Sequence, residues 1–198
     1  MRFHLLFALV LMHYLASGQI QKKPVPLYSE PTLIDNLKTR GYQLLNRYEG
    51  DLNLDTSKDL ILIFGKDGED SLSDGNHPLK RIFLLATKKS ENSFQIEFEN
   101  QNLVYYYNYD LNFKETFVDI TFKKGEFTIN HYGGFAMRWG RSTTFVYSAK
   151  NNDWLFERDE LDSFEATDPE TATEKKITTS QKTEKISAKT FDIYAAWK

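Results

Sequence analysis

Between residues 93 and 99 apolar and polar side chains alternate without interruption: Phe94, Ile96 and Phe98 share one side, and Gln95, Glu97 and Glu99 the other. A period of two belongs to a β-strand with one face in a core and one in water. The same period marks residues 42–48, 103–109, 117–123, 126–132, 143–148 and 191–197. Residues 60–64 and 82–86 are apolar on both sides, as central strands covered on each face would be. Lys124-Gly125 joins residues 117–123 to 126–132, and residues 149–153 lead from 143–148 into Trp154-Leu155-Phe156, so both pairs read as hairpins. Gly133-Gly134 has the backbone freedom for a bulge or tight turn leading into residues 137–147.

Only one stretch carries a helical period. Leu33, Ile34 and Leu37 fall on one face, Glu30 and Thr32 supply start signals, and Gly41 stands where a left-handed cap is wanted. The pattern predicts a short helix over residues 32–40. About nine strands with short polar turns and a single N-terminal helix predict a mainly β fold. Its expected form is an antiparallel meander, curled or packed on itself as a sandwich or barrel.

The flanks read differently. Residues 1–18 combine Arg2, eight consecutive apolar residues from Leu5 to Met12 and the small residues Ala16-Ser17-Gly18, the form of a secretory signal peptide. Nothing approaches the roughly 20 apolar residues of a membrane span. Residues 19–31, with Pro24 and Pro26, read as an extended lead-in. Residues 165–189 are rich in Thr, Lys, Glu and Ser, and predict a flexible polar loop interrupting one β-rich domain made of residues 32–164 and 190–198. The expected location is outside the cytoplasm, periplasmic or extracellular.

Composition narrows the chemistry. With no cysteine, the chain has no disulfides, thiolate zinc sites, iron–sulfur clusters or thiol nucleophile. A net charge of -3 gives no electrostatic footprint for nucleic acid. His77 and His131 are the imidazoles beyond the leader. His131 shares a face with Phe127 and Ile129, which makes it a core-edge residue satisfied by a carbonyl.

One loop has ligand spacing. Asp51, Asn53, Asp55 and Asp59 stand at relative positions 1, 3, 5 and 9, with Ser57 at position 7 offering its backbone carbonyl. Alternate oxygens turned inward in a tight loop suit Ca2+, and the absence of nearby His or Cys argues against zinc or copper. The segment resembles the calcium loops of FG-GAP and VCBS-type repeats over about 15 residues, 50–64. The resemblance implies that Asp51, Asn53, Asp55 and Asp59 are side-chain ligands. The family has glycine at position 6, where this chain has Thr56, and position 12 is Leu62 rather than the Glu of an EF-hand. The alternative is a polar turn held by Asx hydrogen bonds.

Aromatic residues supply the other candidates. Tyr105, Tyr107 and Tyr109 line up with Leu103 by alternation, and Arg138 adjoins Trp139. Each set is either core packing or a surface for a carbohydrate or protein partner. There is no Gly-x-Ser-x-Gly elbow and no His-Glu-x-x-His helix. The expectation is a non-enzymatic exported β-domain, steadied by calcium, that serves as a binding or accessory module in the cell envelope. Two alternatives stand beside it. One is a hydrolase pairing Asp67 or Asp70 with Asp119 or Glu126. The other is a small inhibitor or immunity-type protein presenting the loop at residues 65–77.

Overall fold

A computed structural model describes residues 24–180 and 185–195. The leader at residues 1–18 and the end of the predicted last strand, residues 196–198, lie outside the described residues. The fold is mainly β, and its two antiparallel sheets include a curled half-barrel. Helix α1 (Glu30–Lys38) is capped by Ser29, whose hydroxyl accepts the Thr32 amide at 3.3 Å. It ends before Gly41, which takes a φ of 77°.

The first sheet contains β1 (Tyr42–Gly50), β2 (Asp59–Lys66), β3 (Ile82–Ser90) and β4 (Ser93–Asn100), in that order, with the short α2 (Glu69–Leu72) between β2 and β3. The second contains β5 (Phe117–Lys123), β6 (Glu126–Gly134), β7 (Met137–Ser148), β8 (Asp153–Glu165) and β9 (Asp168–Thr179), again in sequence order. Each is a pure meander, every strand pairing antiparallel with the next in sequence, β2 and β3 included although α2 lies between them.

The layers follow from the alternation. On one face of β2 and β3, Leu60, Leu62, Phe64, Ile82 and Leu84 pack against Leu33 and Leu37 of α1. On the other, Ile61, Ile63, Phe83 and Leu85 meet the second sheet through Phe127, Ile129, Phe145 and Phe156. This accounts for the two-sided apolar runs: β2 and β3 are covered by a helix above and a sheet below.

Among the described residues two predicted strands are absent and one is added. Residues 103–109 form a bent crossing, with Asn108 at φ 64°, so the alternation of tyrosines there is not a strand. Residues 190–195 are turns, although Phe191 and Ile193 do enter the core as expected. Within the segment read as a flexible polar loop, residues 168–179 form β9, which pairs with β8 from Glu165↔Asp168 to Arg158↔Thr179. As an edge strand β9 needs only backbone partners on one side and leaves Ile177 half exposed, so it carries no apolar period to read.

Candidate functional site

Strands β7 and β8 are 12 and 13 residues long, against 8 or 9 for the strands of the first sheet. The second sheet therefore overhangs, and residues 103–113 cross the uncovered end of its inner face. Between that crossing and the sheet lies an open groove of about 680 Å³, whose wall includes Tyr105, Tyr109, Asp110, Leu111, Trp139 and Leu161.

Tyr105 and Tyr109 stack with ring centroids 3.7 Å apart, and Trp139 stands edge-on to Tyr105 at 6.1 Å. Asp110 locks the crossing to the β6–β7 turn. Its Oδ2 accepts the Gly134 amide at 2.7 Å and the Trp139 indole N–H at 3.0 Å, and its Oδ1 accepts the Asn112 amide at 2.9 Å. Burial raises the Asp110 pKa, but these donors outweigh it and hold the carboxyl below its ordinary value. The turn depends on two glycines. A Cβ at Gly133 would come within 2.5 Å of the Trp139 ring and 2.8 Å of Asp110, while Gly134 sits at φ 91°.

Beneath the groove runs a buried polar network. Arg141 donates to both oxygens of Asp159, to the Tyr105 hydroxyl and, at 3.0 Å, to the Ile193 carbonyl; Thr143 adds a bond to Asp159 at 2.8 Å. Burial pushes the Tyr105 phenol up, against the pull of Arg141. His131 is 2% exposed, and its Nε2 accepts the Tyr105 amide at 3.3 Å. Its partner is thus an N–H rather than the carbonyl foreseen. Burial, with Arg141 and Arg81 adding repulsion, pulls the imidazole down to about 3, so it is neutral.

The predicted surface residues divide. Tyr105, Tyr109 and Trp139 come together in the groove. Tyr107 does not join them, since it lines a separate polar concavity with Arg81. Arg138 is on the opposite face of β7, over Phe113 and Tyr132 at 5.5 and 5.9 Å, and donates to the Gly134 carbonyl. Asp110, Leu161 and the Arg141–Asp159 pair escaped the sequence reading because only the tertiary crossing brings them together.

The Asp51 loop is closed by its own hydrogen bonds. Asp59 is fully buried and accepts the Leu52 amide at 3.0 Å and the Lys88 amide at 2.9 Å. Asp55 accepts the Ser57 amide and the Asn53 side-chain amide, both at 2.8 Å. Burial, with Asp55 and Asp51 as further causes, pushes Asp59 up to about 6 despite its amide donors. Asp51 Oδ1 is buried with no hydrogen-bond partner, and Thr56 takes a φ of 71° at the position where the calcium loops have glycine. No group of three or more His, Cys, Asp or Glu among the described residues is arranged to hold a metal ion.

Two of the acids considered for hydrolysis have other partners. Asp119 accepts the Asn130 side-chain amide at 2.7 Å, and Glu126 pairs with Lys123 at 3.0 Å. Asp70 lines the Arg81 concavity, where Glu69 and Glu115 occupy the two edges of the same guanidinium at 2.6 Å each. No helix among the described residues is long and apolar enough to cross a membrane. Comparison with protein families, with curated proteins and with solved structures finds no match to this chain.

Proposed function

We propose that this chain is an exported, non-enzymatic binding module that holds part of a protein or carbohydrate partner in the groove between residues 103–113 and the overhanging end of β7 and β8. One observation carries the reading: an aromatic concavity of about 680 Å³ lies open above two internal polar pairs, Arg141 with Asp159 and Trp139 with Asp110. Apolar, part-exposed walls with few polar contacts describe a recognition surface. The carboxyls nearest the groove do not form a proton-exchanging pair, since Asp110 in its wall is tied to amide and indole N–H groups and Asp159 beneath it to a guanidinium.

The test uses the neutral fluorophore N-phenyl-1-naphthylamine. Leu111 is 81% exposed and makes a safe lever. The expected result is saturable binding that Leu111→Asp weakens about tenfold while the urea midpoint stays in place. Binding that ignores the substitution, or no binding, removes the groove from the proposal.

Calcium at Asp51, Asn53, Asp55, Ser57 and Asp59 is a second part of the proposal. It is favoured by the partnerless Asp51 Oδ1 and by the left-handed backbone at Thr56. The ion would replace the Asn53–Asp55 bond and tie the start of β2. Thermal unfolding in calcium and then in chelator decides: a rise of several degrees with calcium sustains the site, and superimposable curves retire it.

A further inference from the structure

The groove has a charge and a shape that select among partners. Met137, Trp139 and Arg141 share the inner face of β7, and the register places Glu165, Ser163 and Leu161 opposite them on β8. On β9, Asp168, Glu174 and Lys176 follow opposite those three. Glu165, Asp168 and Glu174 are exposed, and none of them is in a salt bridge among the described residues. With Asp110 in the wall, four carboxylates stand on the groove's side of the sheet. The cations on this face are Lys176 and Arg141, and Arg141 is bound to Asp159.

The lip is apolar. Leu111 is 81% exposed, Phe135 70% and Met137 46%. The Gly134–Asp110 hydrogen bond joins the turn bearing Phe135 to the loop bearing Leu111. A sugar ring brings several hydroxyls that each need a partner, and here the Arg141 donors and Asp110 Oδ2 are already occupied. An aliphatic or aromatic side chain makes no such demand, and positive charges flanking it would meet the acidic rim.

Resting on the binding-module reading above, we infer that the occupant is a polypeptide segment with a central apolar or aromatic anchor flanked by lysine or arginine. The anchor fills the space beside Tyr109 and Trp139 under the Leu111 lip, and the flanking cations face Glu165, Asp168 and Glu174. Association is then faster and tighter at low salt.

Three blocked synthetic pentapeptides test this by calorimetry and by the NMR shift of the Trp139 indole N–H. One has a Leu-Phe-Leu centre with lysine at both ends; a second has glutamate at both ends; a third keeps the lysines around a serine centre. The lysine–apolar peptide is expected to bind about tenfold tighter than its glutamate twin and to weaken with salt, while the serine peptide leaves the indole unmoved. The triple variant Glu165→Lys, Asp168→Lys, Glu174→Lys changes exposed residues and should reverse the charge preference without moving the urea midpoint. Equal binding of the two apolar peptides overturns the inference. So does an indole shift caused by chitohexaose or cellohexaose and by none of the peptides, which leaves the binding module standing with a carbohydrate partner. A dimer in sedimentation equilibrium that Leu111→Asp abolishes makes a second copy the occupant and overturns it as well. If N-phenyl-1-naphthylamine also fails to bind, both readings fall together.

Discussion

The inner face of the five-stranded sheet is built in two ways along its length. Where the first sheet covers it, the contacts are rings, with Phe127 stacked on Phe83 and Phe145 at 5.5 and 5.2 Å. Where residues 103–113 and 188–193 cover it, the same face presents His131, Arg141, Thr143 and Asp159, all 2% exposed or less. The difference lies in the cover. A sheet pairs its own backbone groups, whereas an irregular segment arrives with N–H and C=O groups that need partners. The sheet supplies them, since His131 takes the Tyr105 amide and Arg141 the Ile193 carbonyl. Asn100, from β4, likewise donates to the carbonyls of Ala188 and Phe191. The buried polar residues are the counterpart of an irregular lid.

This contrast is sharpest in paired substitutions. Arg141→Met leaves Asp159 charged and buried, and is expected to cost ~3–5 kcal/mol in urea unfolding. Adding Asp159→Leu should return most of that loss, because the orphaned charge goes too. In the ring-packed half Phe127→Ala costs a similar ~3–5 kcal/mol, and adding Phe145→Ala deepens the deficit. If the Arg141 and Asp159 changes simply add, the two halves are alike and the contrast fails.

Acid gives a smaller effect, through His131 in the polar half and, with opposite sign, Asp59 at the start of β2. An unfolded imidazole binds a proton below 6.5, and folded His131 only near about 3. Between those values the unfolded state holds the extra proton, so stability declines as pH falls. Asp59 opposes this: folded, it titrates near about 6 rather than 3.8, so the native state gains protons first and stability rises as pH falls through that window. Urea midpoints at pH 7, 5 and 4 should show a flatter acid limb for His131→Gln and a steeper one for Asp59→Asn. An unchanged slope in His131→Gln would mean that the imidazole is not kept neutral by the fold.

Smallest is Thr56→Gly. A β-branched residue at φ 71° carries strain that glycine relieves, partly offset by the greater freedom of the unfolded chain. A gain of ~0.5–1 kcal/mol in the urea midpoint is expected; a loss would show that the Thr56 side chain contributes contacts worth more than the strain.

The ring-packed half was legible and the polar half was not, for the same reason. Alternation in 126–132 reports burial against a regular layer, and β6 forms there with Phe127, Ile129 and His131 buried. Strand β4 also forms, but a bulge between Ile96 and Phe98 turns Phe98 into the core between the sheets while Phe94 and Ile96 pack on the α1 side, so these three do not share one face as the alternation predicts. Residues 103–109 satisfy the same template, but Tyr105 turns back to stack on Tyr109, four positions on, and Asn108 takes a left-handed bend. Strand β9 is invisible in the sequence because its backbone ladder and its polar contact from Lys175 to Asp162 leave no alternating apolar pattern. Of the groove, Tyr105, Tyr109 and Trp139 were legible as aromatic residues, while Asp110 and Leu161 acquire meaning only from the crossing.

The segment at residues 188–193 plugs the seam between the two meanders, with Phe191 against Phe145 and Phe156 and its carbonyls gripped by Asn100 and Arg141. The ladders of the two meanders are made by β1–β4 and β5–β9 alone, so they can pair before this segment docks. Until it docks, the Arg141 and Asn100 donors have no acceptor there and the phenylalanine layer stays open to water. A chain whose sheets are paired but whose plug is undocked has an assembled yet unsealed core, the form in which a holding chaperone would have something to bind.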